Sequence, residues 1–166
     1  ARTVPPGMAS ATQAKRFTSA RKLESPVLAP HFLRGNDITL AWHLKTGGQP
    51  VRAALVLDDR LLVETEGQDL YSFEPRSGVL QWLYALAGPS QSGYSADPDA
   101  VLFIAKDIYY ELDRTIGRPR RRIVLQFPAS NPPTVLGNVV MINSWERRIF
   151  ALDRETRSVE WAYVPA

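Results

Sequence analysis

Cysteine is absent from the 166 residues, which removes disulfides, thiolate nucleophiles, iron–sulfur clusters and Cys-based zinc sites. Histidine is scarce: His31 and His43 are the two present, too few for a His-rich metal centre. No run approaches the roughly 18 consecutive apolar residues of a transmembrane helix, so no membrane span is expected. Thr46-Gly47-Gly48 lacks the further glycines and the lysine of a phosphate loop and reads as a turn. The serines come with no elbow motif and no paired base, so nothing supports nucleophilic catalysis. What remains is ordinary: 45% hydrophobic and 22% charged residues, with 13 prolines and 10 glycines. That is the balance of a folded, turn-rich domain rather than of a disordered chain.

Charge is unevenly placed. Residues 1–36 carry Arg2, Lys15, Arg16, Arg21, Lys22 and Arg34 against Glu24 alone, whereas the other 130 residues hold 14 basic and 16 acidic side chains. A basic arm therefore precedes a mildly acidic body, which disfavours nucleic acid as a partner despite a sequence pI near 9.4. The arm lacks the apolar core of a secretory signal, and its prolines bracket stretches too polar to form a core. Its segment Lys15-Arg16-Phe17 to Arg21-Lys22 reads either as a solubilising extension or as an arm that orders on a partner.

The body repeats itself. Trp82-Leu83-Tyr84 and Trp161-Ala162-Tyr163 are 79 residues apart, and Trp42 precedes Trp82 by 40. At matching offsets, Leu70-Tyr71-Ser72-Phe73-Glu74 aligns with Tyr109-Tyr110-Glu111-Leu112-Asp113 and with Ile149-Phe150-Ala151-Leu152-Asp153. A short apolar segment precedes each: 61–63, 101–104 and 139–142. No window sustains a 3.6-residue apolar stripe, and turns recur every 8–12 residues or so, the pattern of short strands. A period near 40 with four strands is the signature of a β-propeller blade.

Each unit also carries one element that runs through an acid and a turn towards tryptophan: Glu74, Gly78, Trp82; then Asp113, Gly117, Arg121; then Asp153, Arg157, Trp161. The acid can accept bonds from turn N–H groups, glycine permits positive φ where the hairpin reverses, and the indole can cover the joint between blades. The element resembles the quinoprotein-type, PQQ-like repeat family, whose pattern runs Ala-x-Asp-x-x-x-Gly or Thr-Gly to Trp. The resemblance covers residues 38–166 and implies an all-β fold of PQQ-like four-stranded blades. Arg121 in place of tryptophan and Arg157 in place of glycine depart from the pattern, and both are expected to weaken docking between blades.

The expected organisation is a basic, Pro-containing arm at 1–36 and a partial propeller at 37–166, with blades at about 49–88, 89–128 and 129–166. The strand around Trp42 reads as the last strand of a further blade. Two readings stand: the first part of a longer propeller, which is favoured, or an arc completed by another subunit. Trp42, Trp82, Trp161, Glu74, Asp113, Asp153, Gly78 and Gly117 are the expected blade-docking residues. Candidate partner-binding residues are Lys15, Arg16, Phe17, Arg21 and Lys22 in the arm, with Arg118, Arg120, Arg121 and Arg122 in the body. The arginine run reads as a solvated strand entrance or as a docking place for an anionic partner.

The family resemblance implies two uses. Dehydrogenases of the family hold PQQ with calcium through a Glu, an Asn and an Asp base, and often an adjacent-cysteine disulfide. No such trio is placed by motif here. Asp58, Asp59, Glu64, Glu66 and Asp69 read as solvated hairpin residues, and Asp97-Pro98-Asp99 reads as a turn rather than half of a calcium site. The expectation is therefore a chain that is not an enzyme, with no cofactor and no metal: an interaction scaffold for other protein subunits or for the remainder of the propeller. Relatives that assist outer-membrane assembly imply a bacterial cell-envelope or periplasmic setting. The alternative is the first blades of a longer PQQ-dependent dehydrogenase whose cofactor ligands lie outside this chain.

Overall fold

A computed structural model describes residue 43, residues 48–57 and residues 59–164. Trp42, the arm at 1–36 with Lys15, Arg16, Phe17, Arg21 and Lys22, and most of the strand expected around Trp42 lie outside the described residues, as does Asp58. Among the described residues every regular element is a β-strand. Three four-stranded antiparallel sheets follow one another along the chain, each a blade in the order of its sequence.

The first sheet comprises β1 (Val51–Val56), β2 (Leu61–Thr65), β3 (Asp69–Phe73) and β4 (Leu80–Ala85). The second comprises β5 (Ser90–Ala96), β6 (Ala100–Ala105), β7 (Ile108–Asp113) and β8 (Pro119–Val124). The third comprises β9 (Thr134–Leu136), β10 (Val139–Asn143), β11 (Ile149–Asp153) and β12 (Val159–Tyr163). By internal contacts the described residues divide into two compact units, one ending at Leu83 and one beginning at Tyr84.

One turn, used three times, shows why this sequence reverses where it does. Glu74 accepts the Arg76 N–H at 3.0 Å and the Ser77 N–H at 2.5 Å. Asp113 accepts those of Thr115 and Ile116 at 2.9 and 3.1 Å, and Asp153 those of Glu155 and Thr156 at 2.7 and 2.6 Å. Four residues after each acid the backbone turns left-handed, at Gly78 (φ 69°), Gly117 (φ 69°) and Arg157 (φ 61°), and that residue's N–H returns to the acid's own carbonyl. Acceptance of these bonds holds the carboxyl of Asp153, led by the Thr156 N–H, below the usual carboxylate range. Glu74 is lowered chiefly by Ser77, and Asp113 chiefly by the Arg120 guanidinium. Arg157 thus adopts the conformation that glycine supplies in the other two units, at a cost of about 1–2 kcal/mol for a residue with a Cβ.

The cores sit on the middle strands of the first two sheets, which are covered on both faces. In the unit that ends at Leu83, Val63, Tyr71 and Phe73 pack with Leu61, Leu80 and Leu83. In the other unit all six residues of β6, Ala100–Ala105, are buried, so both faces of the second sheet are covered there. One face contributes Leu102, Ile104 and Tyr109 to a cluster with Val140, Ile142 and Leu152 of the third sheet. Phe127 and Phe150 stack in the same cluster with centroids 3.6 Å apart.

Candidate functional site

Glu111 is the pivot of the joint between the second and third sheets. It lies on β7 opposite Arg121 of β8, beside a bulge at Glu111/Leu112, just as Ala151 lies opposite Trp161 beside a bulge at Ala151/Leu152. Its carboxylate is 0% exposed. Arg121 Nη1 donates to Oε2 at 2.6 Å, the Tyr109 hydroxyl to Oε1 at 2.7 Å, and Arg154 of the third sheet to both oxygens at 2.9 and 3.1 Å. Arg154 also reaches Asp97 at 2.8 Å. Two carboxylates and two guanidiniums make the cluster neutral, which is how buried charge is tolerated.

Burial raises the Glu111 carboxyl, but the bonds from Arg154, Tyr109 and Arg121 outweigh it and leave the group below the usual carboxylate range. The Tyr109 phenol is pushed up by burial first and by its bond to Glu111 second, while Arg154 is raised chiefly by Glu111. The joint where Arg121 replaces tryptophan is therefore held by ions, rather than merely weakened as the sequence led one to expect. Glu111 was missed as a functional residue. The signal was present: Glu111 stands where the other units have Ser72 and Ala151, and Arg121 where they have Trp82 and Trp161. Two departures ten residues apart meet across one hairpin.

The arginine run is mostly engaged inside the chain. Arg120 forms a two-pronged contact to Asp113 Oδ2 at 2.6 and 3.1 Å. Arg121 is spent on Glu111, and Arg122 lies over the Tyr110 ring, 5.2 Å from its centroid. Arg118 is exposed at the turn. Glu64, expected to be solvated, is instead fully buried on β2, with Arg52 at 3.5 Å; residues 62–65 are all buried, so both faces of the strand are covered there.

The tryptophans of the repeat differ sharply. Trp82 and Tyr84 are 6% and 2% exposed, whereas Trp161 and Tyr163, at the same positions of the third unit, are 48% and 54% exposed. Trp161 covers no joint among the described residues. All of β12 is exposed, and Trp145, in the β10–β11 turn, is 73% exposed.

Among the described residues, the unit that begins at Tyr84 contains two notable hollows. A cleft of about 570 Å³ is bordered by Asp97, Asp99, Pro133, Gly137 and Arg154. It brings carboxylates beside a guanidinium, yet the residues do not fit a quinone cofactor with a calcium ion. Asp97 Oδ1 already accepts the N–H groups of Asp99 and Ala100, Asp97 Oδ2 faces Arg154, and Arg154 is committed to Glu111. Among the described residues no group of three His, Cys, Asp or Glu is arranged to hold a metal ion. The second hollow is a groove of about 350 Å³ with an apolar floor, lying alongside β8, β11 and β12.

Comparison with known proteins follows the same repeat. A family model described as outer membrane protein assembly factor BamB matches residues 68–166, more than half of the chain. No curated protein matches the sequence. Among solved structures, BamB from Moraxella catarrhalis is similar at 21% identity and a TM-score of 0.62, over 74% of this chain and 40% of that one. Quinohemoprotein alcohol dehydrogenase ADHIIG from Pseudomonas putida HK5 follows at 16% identity and a TM-score of 0.54, over 66% and 20% of the two chains. The Pan2 WD40 domain of Neurospora crassa is similar at 14% identity and a TM-score of 0.55, over 72% and 39%. The chain thus spans about two fifths of the BamB structure it resembles, and these likenesses carry the propeller fold.

Proposed function

The chain belongs to the family of the outer membrane protein assembly factor BamB, and on that basis we propose that it is a non-catalytic protein–protein interaction scaffold of the bacterial cell envelope. In this reading the arm at 1–36 and the blades at about 49–88, 89–128 and 129–166 belong to a larger protein or assembly. The observation that carries the reading is the contrast between Trp82 with Tyr84, buried, and Trp161 with Tyr163, half exposed at equivalent positions. Large aromatic side chains spread over an exposed sheet face mark a surface to be covered. The cover is a further sheet, of the same protein or of a partner subunit. The committed state of Asp97, Glu111 and Arg154 supports a structural use of the polar groups.

The second reading, the first blades of a PQQ-dependent dehydrogenase, draws on the likeness in fold to the quinohemoprotein alcohol dehydrogenase. One experiment separates the two. The protein is isolated from its native source without denaturation, sized and cross-linked, then supplied with PQQ and calcium in a dye-reduction assay. Migration in a complex larger than the chain itself, cross-links through the Trp161 face and absence of dye reduction are expected. Turnover that depends on PQQ and calcium would overturn the scaffold reading.

A further inference from the structure

The apolar groove beside β8 has the architecture of a strand-docking site. Its floor is built from Ile123, Leu125 and Phe127 on one side and Phe150, Leu152 and Val159 on the other. Five consecutive residues, 123–127, line it, so the groove follows the end of β8 and the bend that continues from it. Ile123 pairs with Tyr109, and the Leu125 N–H donates to Asp107 at 2.7 Å. Alternation in an antiparallel ladder then turns the N–H and C=O groups of Arg122 and Val124 away from β7. Because β8 is the outer strand of its sheet, those groups have no strand partner among the described residues.

An arginine stands at each end of the groove, with Glu146 also lining the Arg148 end. Arg148 immediately precedes β11 and Arg157 lies in the turn that follows it, and both line the groove. Eight residues lie between them, and the five of β11 among these span about 17 Å of extended chain. Arg148 has a loose contact of 3.7 Å to Glu146, and Arg157 makes no ion pair among the described residues. A lipid or a small apolar ligand would leave the outward backbone groups of Arg122 and Val124 unused. An extended peptide uses every part of the site: backbone pairing to the edge, apolar side chains on the Phe127–Phe150 floor, and an acid at each end for an arginine.

We propose that this groove binds an extended segment of a partner protein by strand addition to β8, with apolar residues at the centre and acidic residues at both ends. The inference rests on the scaffold reading and gives it a site and a partner chemistry. Arg157 supplies an unusually clean probe. Arg157→Gly removes one end charge while relieving the positive φ of 61°, so the variant keeps its fold.

The test uses the full chain and a fluorescent seven-residue peptide, Asp-Thr-Val-Thr-Val-Thr-Asp, whose aspartates and valines share one face. Fluorescence anisotropy is expected to show saturable binding. Arg157→Gly and Arg148→Gln should each weaken it by about three- to fivefold, the scale of one exposed charge pair. N-methylation of the edge-facing amides of the peptide should weaken it by at least about tenfold, because it removes the pairing donors. Equal binding of the N-methylated peptide, or of one with lysine for aspartate, would overturn the proposal in favour of a plain apolar pocket. Chain dimerisation that the same variants abolish, without peptide binding, would overturn it in favour of a second copy. No binding alongside an intact native complex would end the groove proposal and leave the scaffold reading standing; dye reduction with PQQ would end the scaffold reading itself.

Discussion

Truncating Glu111 to alanine strips one buried carboxylate from four donor contacts: two from Arg154, one from Arg121 and one from Tyr109. Breaking a buried ion pair from one side costs about 3–5 kcal/mol, since the partner charge stays behind uncompensated. Here the cost lies near the lower end, about 3 kcal/mol, because Arg121 is partly exposed and Arg154 keeps Asp97 at 2.8 Å. The double variant Glu111→Ala/Arg121→Trp installs the small-residue and tryptophan pair that the third unit already carries as Ala151 opposite Trp161. It should recover at least half of the loss, whereas Arg121→Trp alone sets an indole against a buried carboxylate and should recover nothing. Urea unfolding of the full chain, with amide exchange read in β7 and β11, measures all four corners of the cycle. A coupling energy of at least about 1 kcal/mol is expected for side chains in contact. A Glu111→Ala cost within about 0.5 kcal/mol, the range of an ordinary surface change, or additive single effects, would refute the idea that an ion cluster replaces the indole at this joint.

Three further outcomes follow from the same geometry. Because Glu111 is held below the usual carboxylate range, its contribution is complete above the unfolded value near ~4.3 and is lost as pH falls through the lowered folded value. Glu111→Gln should therefore flatten the acid limb of the urea-midpoint profile, and an unchanged limb would assign it to other carboxylates. Arg157→Gly should raise stability by about 0.5–1 kcal/mol, as relief of the left-handed conformation exceeds the added backbone freedom; thermal unfolding that moves downward would contradict the turn argument. Trp82→Ala should cost about 3–5 kcal/mol while Trp161→Ala costs under ~1 kcal/mol in this chain, a contrast that denaturant melts can read directly.

The period of about 40 residues was legible because a blade's constraints are local. An acid must face the N–H groups of its own turn, a left-handed residue must come four positions later, and strand alternation must bury one face. Glu74, Asp113 and Asp153 could be recognised from spacing alone for that reason. The fate of a particular side chain was less legible. Glu64 looked like a solvated hairpin acid by its neighbours in sequence, yet β2 is covered on both faces from residue 62 to 65, so either face would have buried it. The arginine run looked like a free basic patch, since nothing local shows that Asp113, Glu111 and the Tyr110 ring are its partners.

By itself, then, the sequence determined the strand order, the three recurring turns and the repeat family, all consequences of interactions between residues fewer than about a dozen positions apart. The tertiary structure decided what closes each face. It brought Arg154 across 43 residues to Glu111, making the joint without a tryptophan an ionic one. It also buried Trp82 but left Trp161 half exposed, although the two occupy the same position of the repeat. Burial and charge pairing depend on packing between residues far apart in the chain, and no local pattern encodes that.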